Sequence, residues 1–382
     1  MGAAFRGLAL PCALSSIAMH PRWHTALTTP LTWTYALING APPPRRNTMH
    51  AIRLHAFGPA ENLTYEKTDD PVPGPGQVRI AVGAAGVHLV DTTLRRGETK
   101  GPHKPPELPA ILGHEIAGTV EALGPGTDPA WLGRRVVAHL GQVPGGYAQL
   151  TVSDADKLHD IPEGLADDHA VTMVGTGRTA LGVLAFAEPA ADDVVVILAA
   201  AGGLGTLLVQ HTKRAGATVV GLAGGSAKVE RVRELGADIA LDYTDPAWPE
   251  AARTALGGRA ATVVLDSVGG EAARAAVGLL GRGGRHLVFG WTSEPAGAGP
   301  VPPFAPEELA ARSITSTGVL GAPMMERLGG PAGMRRTQAE SLAHAAAGRV
   351  TPVVTRFPLA EAAAAHRALE SRGTVGKVVL IP

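Results

Sequence analysis

The stretch from Asp193 to Gly205 constrains the fold more than any other. Residues 193–199 are an almost unbroken apolar run, the pattern of a strand buried on both faces. The run passes directly into Ala200-Ala201-Gly202-Gly203-Leu204-Gly205, after which Leu204, Leu207, Leu208 and Ala215 recur at helical spacing. A strand that turns through glycines into a helix is the opening unit of a doubly wound parallel sheet. The chain beyond Ala215 repeats the alternation. Strands are expected at 218–222, 239–242, 261–266 and 285–290, helices at 228–235 and 271–280, and a sixth strand at 313–319. Parallel strands joined in this way take right-handed crossovers.

The chain before this region has a different texture. From residue 49 to about 170, short apolar stretches (77–82, 116–122, 135–139) alternate with turns such as Pro73-Gly74-Pro75-Gly76. After the sixth strand come helices near 335–348 and 359–371 and a final strand at 377–381, expected to return to the β-rich part. The expected architecture is therefore α/β. A doubly wound (Rossmann) domain, 171–319, is inserted in a β-rich domain formed by 49–170 and 320–382. Residues 1–48 show neither period and are read as an extension, expected to be disordered. A secretory or transit peptide fits less well, because the apolar run 7–14 is short and contains Pro11 and Cys12.

Charge and composition narrow the function. Lys+Arg and Asp+Glu both number 34, so the basic excess of a general nucleic-acid or acidic-membrane binder is missing. The single cysteine, Cys12, rules out an intramolecular disulfide framework and any multi-cysteine zinc lobe. No stretch of about 18 apolar residues lacks Gly, Pro and charge, so no membrane span is expected.

The glycine turn points to a dinucleotide. Gly202 permits a side-chain-free approach to a pyrophosphate and Gly205 permits close strand–helix packing, while Ala200 stands where the first glycine is usual. The helix beginning there offers free N–H groups and the positive end of its dipole to a diphosphate. The end of the next strand reads Gly221-Leu222-Ala223-Gly224-Gly225-Ser226-Ala227-Lys228. An NAD reader places a carboxylate there for the ribose hydroxyl. Here none is present, and Lys228 would attract a 2′-phosphate instead. The expected cofactor is NADPH.

From Met49 onward the chain resembles the medium-chain dehydrogenase/reductase superfamily, in its zinc-free quinone oxidoreductase branch. The resemblance rests on Gly86-Val87-His88-Leu89-Val90-Asp91-Thr92, Leu112-Gly113-His114-Glu115-Ile116-Ala117-Gly118, Gly145-Gly146-Tyr147-Ala148 and the glycine loop itself. Leu235-Gly236-Ala237-Asp238 with Tyr243, Asp266-Ser267-Val268-Gly269-Gly270 and Ser371-Arg372-Gly373-Thr374-Val375-Gly376-Lys377 complete it. The resemblance implies a GroES-like catalytic domain split by the cofactor domain. It implies that Ala201, Gly202, Gly203, Leu204 and Gly205 line the pyrophosphate. Gly224, Ser226, Lys228, Tyr243 and Arg372 would bind the adenosine phosphate or ribose. Val268, Gly269, Phe289 and Gly290 would lie beside the nicotinamide.

Zinc-dependent members of the superfamily hold their ion with Cys, His and Cys. The matching positions here are His88, His114 and Thr176, with Asp91 as a further conceivable ligand; thiolates are absent and no metal is expected. Candidate catalytic residues are His88, Asp91 and Thr92, with Arg178 a weaker proton donor. His88 comes first, because an imidazole can both donate a hydrogen bond and give up a proton near pH 7. The function implied is hydride transfer from NADPH to a quinone or α,β-unsaturated carbonyl compound. A zinc-dependent alcohol dehydrogenase, an enoyl-thioester reductase and a non-catalytic NADPH-binding protein remain as alternatives. The family also implies a cytoplasmic homodimer, with no nucleic-acid or membrane partner.

Overall fold

The computed structural model describes residues 47–99, 103–141, 145–290, 292 and 305–382. The expected extension at 1–48 lies outside these, apart from its last two residues. Thr48 is already part of the fold: it begins the strand Thr48–Leu54 and pairs with Asp69. The described chain forms one compact unit, Asn47–Pro382.

Six parallel strands make the first sheet. In chain order they are Val194–Ile197, Thr218–Ala223, Ile239–Asp242, Ala261–Asp266, Leu280–Val288 and Thr315–Gly318. In space they run 3-2-1-4-5-6, so the order reverses between the first and fourth strands and opens a crevice at their carboxyl ends. The first strand is buried on both faces, as its apolar run requires. Val195 and Ile197 enter one core, while Val194 and Val196 enter another on the opposite side of the sheet.

The second sheet is the β-rich part. Val354–Pro358, Lys377–Ile381, Gln77–Val87, Glu115–Leu123, Arg135–His139 and Leu158–Asp160 lie side by side, and Leu150–Asp154 also pairs with Gln77–Val87. The chain returns as expected: Lys377–Ile381 runs antiparallel to Gln77–Val87, with Val379 opposite Gly86.

Several elements differ from the sequence expectations, three of them near the cleft or in its supports. The strand expected at 77–82 continues to Val87, because Gly83 and Gly86 are not a turn here. A Cβ on either would collide with a carboxylate, that of Asp167 or of Glu115. A helix, Trp248–Leu256, fills a crossover that the sequence left as a loop. The largest difference is a continuous helical run over Asp167–Ala187, which contains a π-turn at Met173–Gly177. The expected domain boundary at 170/171 falls inside it. Gly175 and Gly177 each make room for a neighbouring side chain, Glu115 and Ser341 respectively. By length and mean hydropathy, 1.4, this run could cross a membrane, but 67% of its most apolar window is buried inside the fold. Gly175, Gly177 and Arg178 interrupt its apolar sequence.

Candidate functional site

A cleft opens at the carboxyl ends of the parallel strands. Its floor is the glycine loop, through Ala199, Ala201 and Gly202. One wall is Ala223, Gly224, Lys228 and Tyr243, and Val268 closes the far side. Leu89, Arg372 and Thr374 approach from the β-rich part. Of the predicted cofactor residues, Ala201, Gly202, Gly224, Lys228, Tyr243, Val268 and Arg372 thus share one cleft.

The glycines serve distinct geometric needs. A Cβ on Gly205 would lie 2.2 Å from the Ala199 carbonyl oxygen, so the helix Gly203–Arg214 can pack this close only with glycine there. A Cβ on Gly202 would meet only that same oxygen, at 3.2 Å, and otherwise open space. Gly203 and Leu204 form the first turn of the helix. Ser226 begins the helix Ser226–Glu234 and is exposed. The backbone N–H groups of Val268 and Gly269 donate to Asp266 Oδ1 at 2.8 and 3.0 Å, which fixes that loop. Gly290 packs against it, since a Cβ would lie 2.7 Å from the Ser267 carbonyl oxygen. The Phe289 side chain belongs to the hydrophobic core and does not line the cleft.

The charges at the ribose wall are informative. Lys228 Nζ donates to the Arg372 carbonyl oxygen, and Arg372 Nη2 donates to the Thr292 carbonyl oxygen at 3.0 Å. Arg372 sits at φ +57°, a strained position for a residue with a side chain. Neither cation makes an ion pair among the described residues. Burial lowers the Lys228 pKa, and the neighbouring Arg372 charge lowers it further. Sequence reading missed one contributor. Asp242, at the end of the third strand, accepts from Gly225 N at 3.0 Å and from Thr244 N and Oγ1 at 2.9 and 2.6 Å. A carboxylate therefore does reach this wall, from the adjacent strand and not from the second. Its position at a strand end was the available signal.

A second group of polar side chains lies behind the cleft. Asp91 is fully buried and spends both oxygens on neighbours. Oδ2 accepts from His88 N and Tyr147 Oη at 2.8 and 2.9 Å, and Oδ1 lies 2.9 Å from His114 Nδ1. Tyr147 Oη in turn lies 3.2 Å from His366 Nε2. Burial works against both charges of the Asp91–His114 pair, but their mutual attraction wins. It lowers the Asp91 pKa below the usual carboxylate range and raises that of His114. Thr92 is also buried, and its hydroxyl donates to the Leu89 carbonyl oxygen at 2.8 Å. Asp91 and Thr92 thus support the helix Leu89–Arg95, while His88 at its start keeps 28% of its side chain exposed.

His88 Nε2 points inward. It lies 2.6 Å from Glu115 Oε2 and 2.6 Å from Lys377 Nζ, and Nζ lies 3.1 Å from the same Glu115 oxygen. Lys377 and Glu115 are buried. Burial opposes the Glu115 charge, but His88 and Lys377 hold its pKa well below the ordinary value. Burial lowers the Lys377 pKa, against the pull of Glu115. Arg178 is close enough to feel the Glu115 charge, although its Nε is buried without a partner among the described residues. Sequence reading gave Lys377 no role. Its signals are its place at the end of the Ser371–Lys377 motif and just before the apolar run Val378-Val379-Leu380-Ile381.

Comparison with known proteins agrees with this geometry. Residues 74–163 match the alcohol dehydrogenase GroES-like domain family, and residues 235–380 match the zinc-binding dehydrogenase family. A 2-haloacrylate reductase from a Burkholderia species is 32% identical over 87% of this chain and 98% of its own length. A mycobacterial protein solved in complex with NADPH is 33% identical, with a TM-score of 0.74 over 87% of this chain and 100% of that one. The Escherichia coli quinone oxidoreductase, also solved with NADPH, is 28% identical with a TM-score of 0.75, covering 88% of this chain and all of the other.

The second family name raises the question of zinc, and the side chains present do not suit it. Zinc sits about 2.0–2.1 Å from a histidine nitrogen. An ion on His88 Nε2 would meet the Lys377 ammonium, which already lies 2.6 Å from that nitrogen. Thr176 offers a hydroxyl where a thiolate would be needed, and among the described residues no three His, Cys, Asp or Glu side chains are grouped so as to hold an ion. In fold, in both matched domains and in full-length similarity to its relatives, the chain belongs to the medium-chain dehydrogenase/reductase superfamily, among the quinone oxidoreductases and their kin.

Proposed function

We propose that the protein is an NADPH-dependent reductase that delivers hydride to a quinone or an α,β-unsaturated carbonyl compound, without a metal ion. The observation that carries this reading is the pair of cations, Lys228 and Arg372, set without a salt-bridge partner among the described residues at one end of a glycine-lined cleft. Residues 171–319 would form the cofactor domain, and 49–170 with 320–382 the catalytic domain. Gly202, Gly203 and the N–H groups that open the helix Gly203–Arg214 would hold the diphosphate. Gly224, Ser226 and Tyr243 would border the ribose, and Val268, Gly269 and Gly290 the nicotinamide. When bound, NADPH supplies the hydride.

The chain's own residues supply orientation and a proton. An acceptor carbonyl or quinone gains negative charge on oxygen as it is reduced, and a preorganised donor lowers that barrier. His88 is the candidate with an exposed face. Asp91 would act at one remove, by holding the His88 backbone and the helix behind it. Thr92 would do the same through Leu89. The names of the relatives support both acceptor classes, a 2-haloacrylate being itself an α,β-unsaturated acid. We take the family habit to imply a cytoplasmic homodimer acting on a small molecule, with no nucleic acid or membrane as partner.

The test is NADPH oxidation by purified protein against quinones, enones and 2-haloacrylates, with and without a strong chelator. Turnover unaffected by the chelator supports the reading. Tight NADPH binding with no acceptor turned over would make this a binding protein, and activity that zinc restores after chelation would make it a metal-dependent dehydrogenase.

A further inference from the structure

Two turns border the cleft, and they are held by different means. The glycine loop is clasped by backbone: Gly376 N donates to the Ala201 carbonyl oxygen at 2.8 Å, and Gly376 bridges Gly202. The turn after the fourth parallel strand is tied to a side chain instead. The amides of Val268 and Gly269 donate to Asp266 Oδ1, and Gly269 and Gly270 sit at φ +76° and +61°. That conformation costs glycine little, so such a turn is only as firm as the group that ties it. Val268 lines the cleft, and its place follows that of the Asp266 carboxyl. The torsion that rotates a carboxyl is broad, so a carboxyl held through one oxygen is a loose tie.

Asp266 is held through both. Oδ2 lies 3.2 Å from His286 Nε2, and His286 Nδ1 lies 2.9 Å from Ser316 Oγ. The register of the sheet makes this row. His286 pairs with Val264 on one side and with Ser316 on the other, and Asp266 stands two residues beyond Val264, on the same face. Asp266 and His286 are buried, while Ser316 lies on the exposed edge strand. Both ring nitrogens and both carboxyl oxygens thus have partners. A buried imidazole needs a partner at each nitrogen, whereas an aliphatic side chain would fill the same space without that demand. The contact at Oδ2 pins the carboxyl plane whichever of the two groups carries the proton between them.

We propose that His286 is a positioning residue for hydride transfer: it locks the Asp266 carboxyl and so holds the Val268–Gly269 turn at the distance the nicotinamide requires, with Ser316 steadying the imidazole from the sheet edge. This rests on the reductase reading given above. His286 does not line the cleft and acts only through Asp266.

The test uses His286→Leu, His286→Gln and Ser316→Ala in the full chain. His286→Leu keeps the bulk and removes the tie to Oδ2. The groups assigned to the phosphates are untouched, so the NADPH Kd should stay within about threefold while turnover falls about tenfold. Hydrogen exchange of the Val268 and Gly269 amides in cofactor-free protein should quicken about tenfold. His286→Gln brings an amide nitrogen near the place of Nε2 and should recover part of both losses. If His286→Leu fails to fold, Ser316→Ala decides: it frees the imidazole at its outer end and should quicken the same two amides about threefold, and an unaltered rate would overturn the proposal. Unchanged turnover or unchanged exchange in folded His286→Leu, or no recovery in His286→Gln, would overturn it as well. So would an NADPH Kd that rises in step with the lost turnover, since the row would then serve binding and not the placing of the nicotinamide. If the unaltered protein binds no NADPH, the reductase reading fails by itself, and amide exchange still decides whether His286 holds the turn.

Discussion

Replacing Lys228 is the sharpest probe of cofactor choice. Lys228→Ala removes one positive charge from the ribose wall and leaves the glycine loop untouched. A phosphate monoester carries nearly two negative charges near neutral pH. Two unit charges about 4 Å apart in water attract by about 1 kcal/mol. The lost attraction is then about 1.5–2 kcal/mol, or about a 10- to 30-fold weaker Kd for NADPH. Lys228 is only half-buried, so a larger interior value does not apply. NADH lacks the phosphate and should change by less than about twofold. Lys228→Glu reverses the charge and should roughly double the free-energy loss. Asp242→Asn should shift NADPH affinity the opposite way, because Asp242 places a negative charge behind this wall, on the Gly225 N–H. Fluorescence titration of both reduced nucleotides measures each Kd, and a salt series should shrink the NADPH effect as screening grows. Equal weakening of NADH and NADPH would refute the phosphate assignment. Lys228 would then matter only for holding the Arg372 carbonyl and the loop behind it.

Three further outcomes are expected. Gly205→Ala forces a Cβ to within 2.2 Å of the Ala199 carbonyl oxygen, so the loop must shift. We expect about 1–3 kcal/mol of lost stability and at least about tenfold weaker NADPH binding, and an unchanged Kd would show that the loop does not contact the cofactor. Asp91→Leu strips the acceptor from three buried partners, His88 N, Tyr147 Oη and His114 Nδ1. Chemical denaturation should show a loss of about 3 kcal/mol or more, and a loss below about 1 kcal/mol would contradict its place as the hub. Acid should destabilise the fold through His139 and His366, whose pKa values burial lowers to about 4. Both are neutral in the folded protein, so the unfolded chain binds more protons below about pH 6.5. Their stabilising contribution is complete above that pH and is lost as pH falls towards 4. Each should cost about 2 kcal/mol at pH 5, partly offset by His114 with its raised pKa. A melting temperature that is flat from pH 7 to 5 would argue against neutral burial.

The parallel sheet was legible because burial on both faces leaves an unmistakable apolar run, and because a glycine is forced wherever a helix must touch the strand before it. Lys228 was legible for a similar reason: what matters about it is a charge at a fixed offset from that turn. Asp242 was not, since its relevance depends on which strand lies beside the second, and that is a property of the sheet. The helical run Asp167–Ala187 was obscured by Gly175 and Gly177. In isolation they signal a break; in the fold they are holes for Glu115 and Ser341. Lys377 was hidden most completely. Its partners His88 and Glu115 lie 289 and 262 residues away, and no local pattern encodes a contact of that range.

The seam between Gly202 and Gly376 has a consequence for biosynthesis. The strand that begins at Lys377 is an inner strand of the second sheet, flanked by Val354–Pro358 and Gln77–Val87, and the residue before it clasps the nucleotide loop. A nascent chain can therefore assemble its parallel sheet well before the loop gains this clasp. A chain shortened to end before Gly376 would display the glycines without this support, so the difference in nucleotide capture between it and the full chain would measure what the clasp contributes.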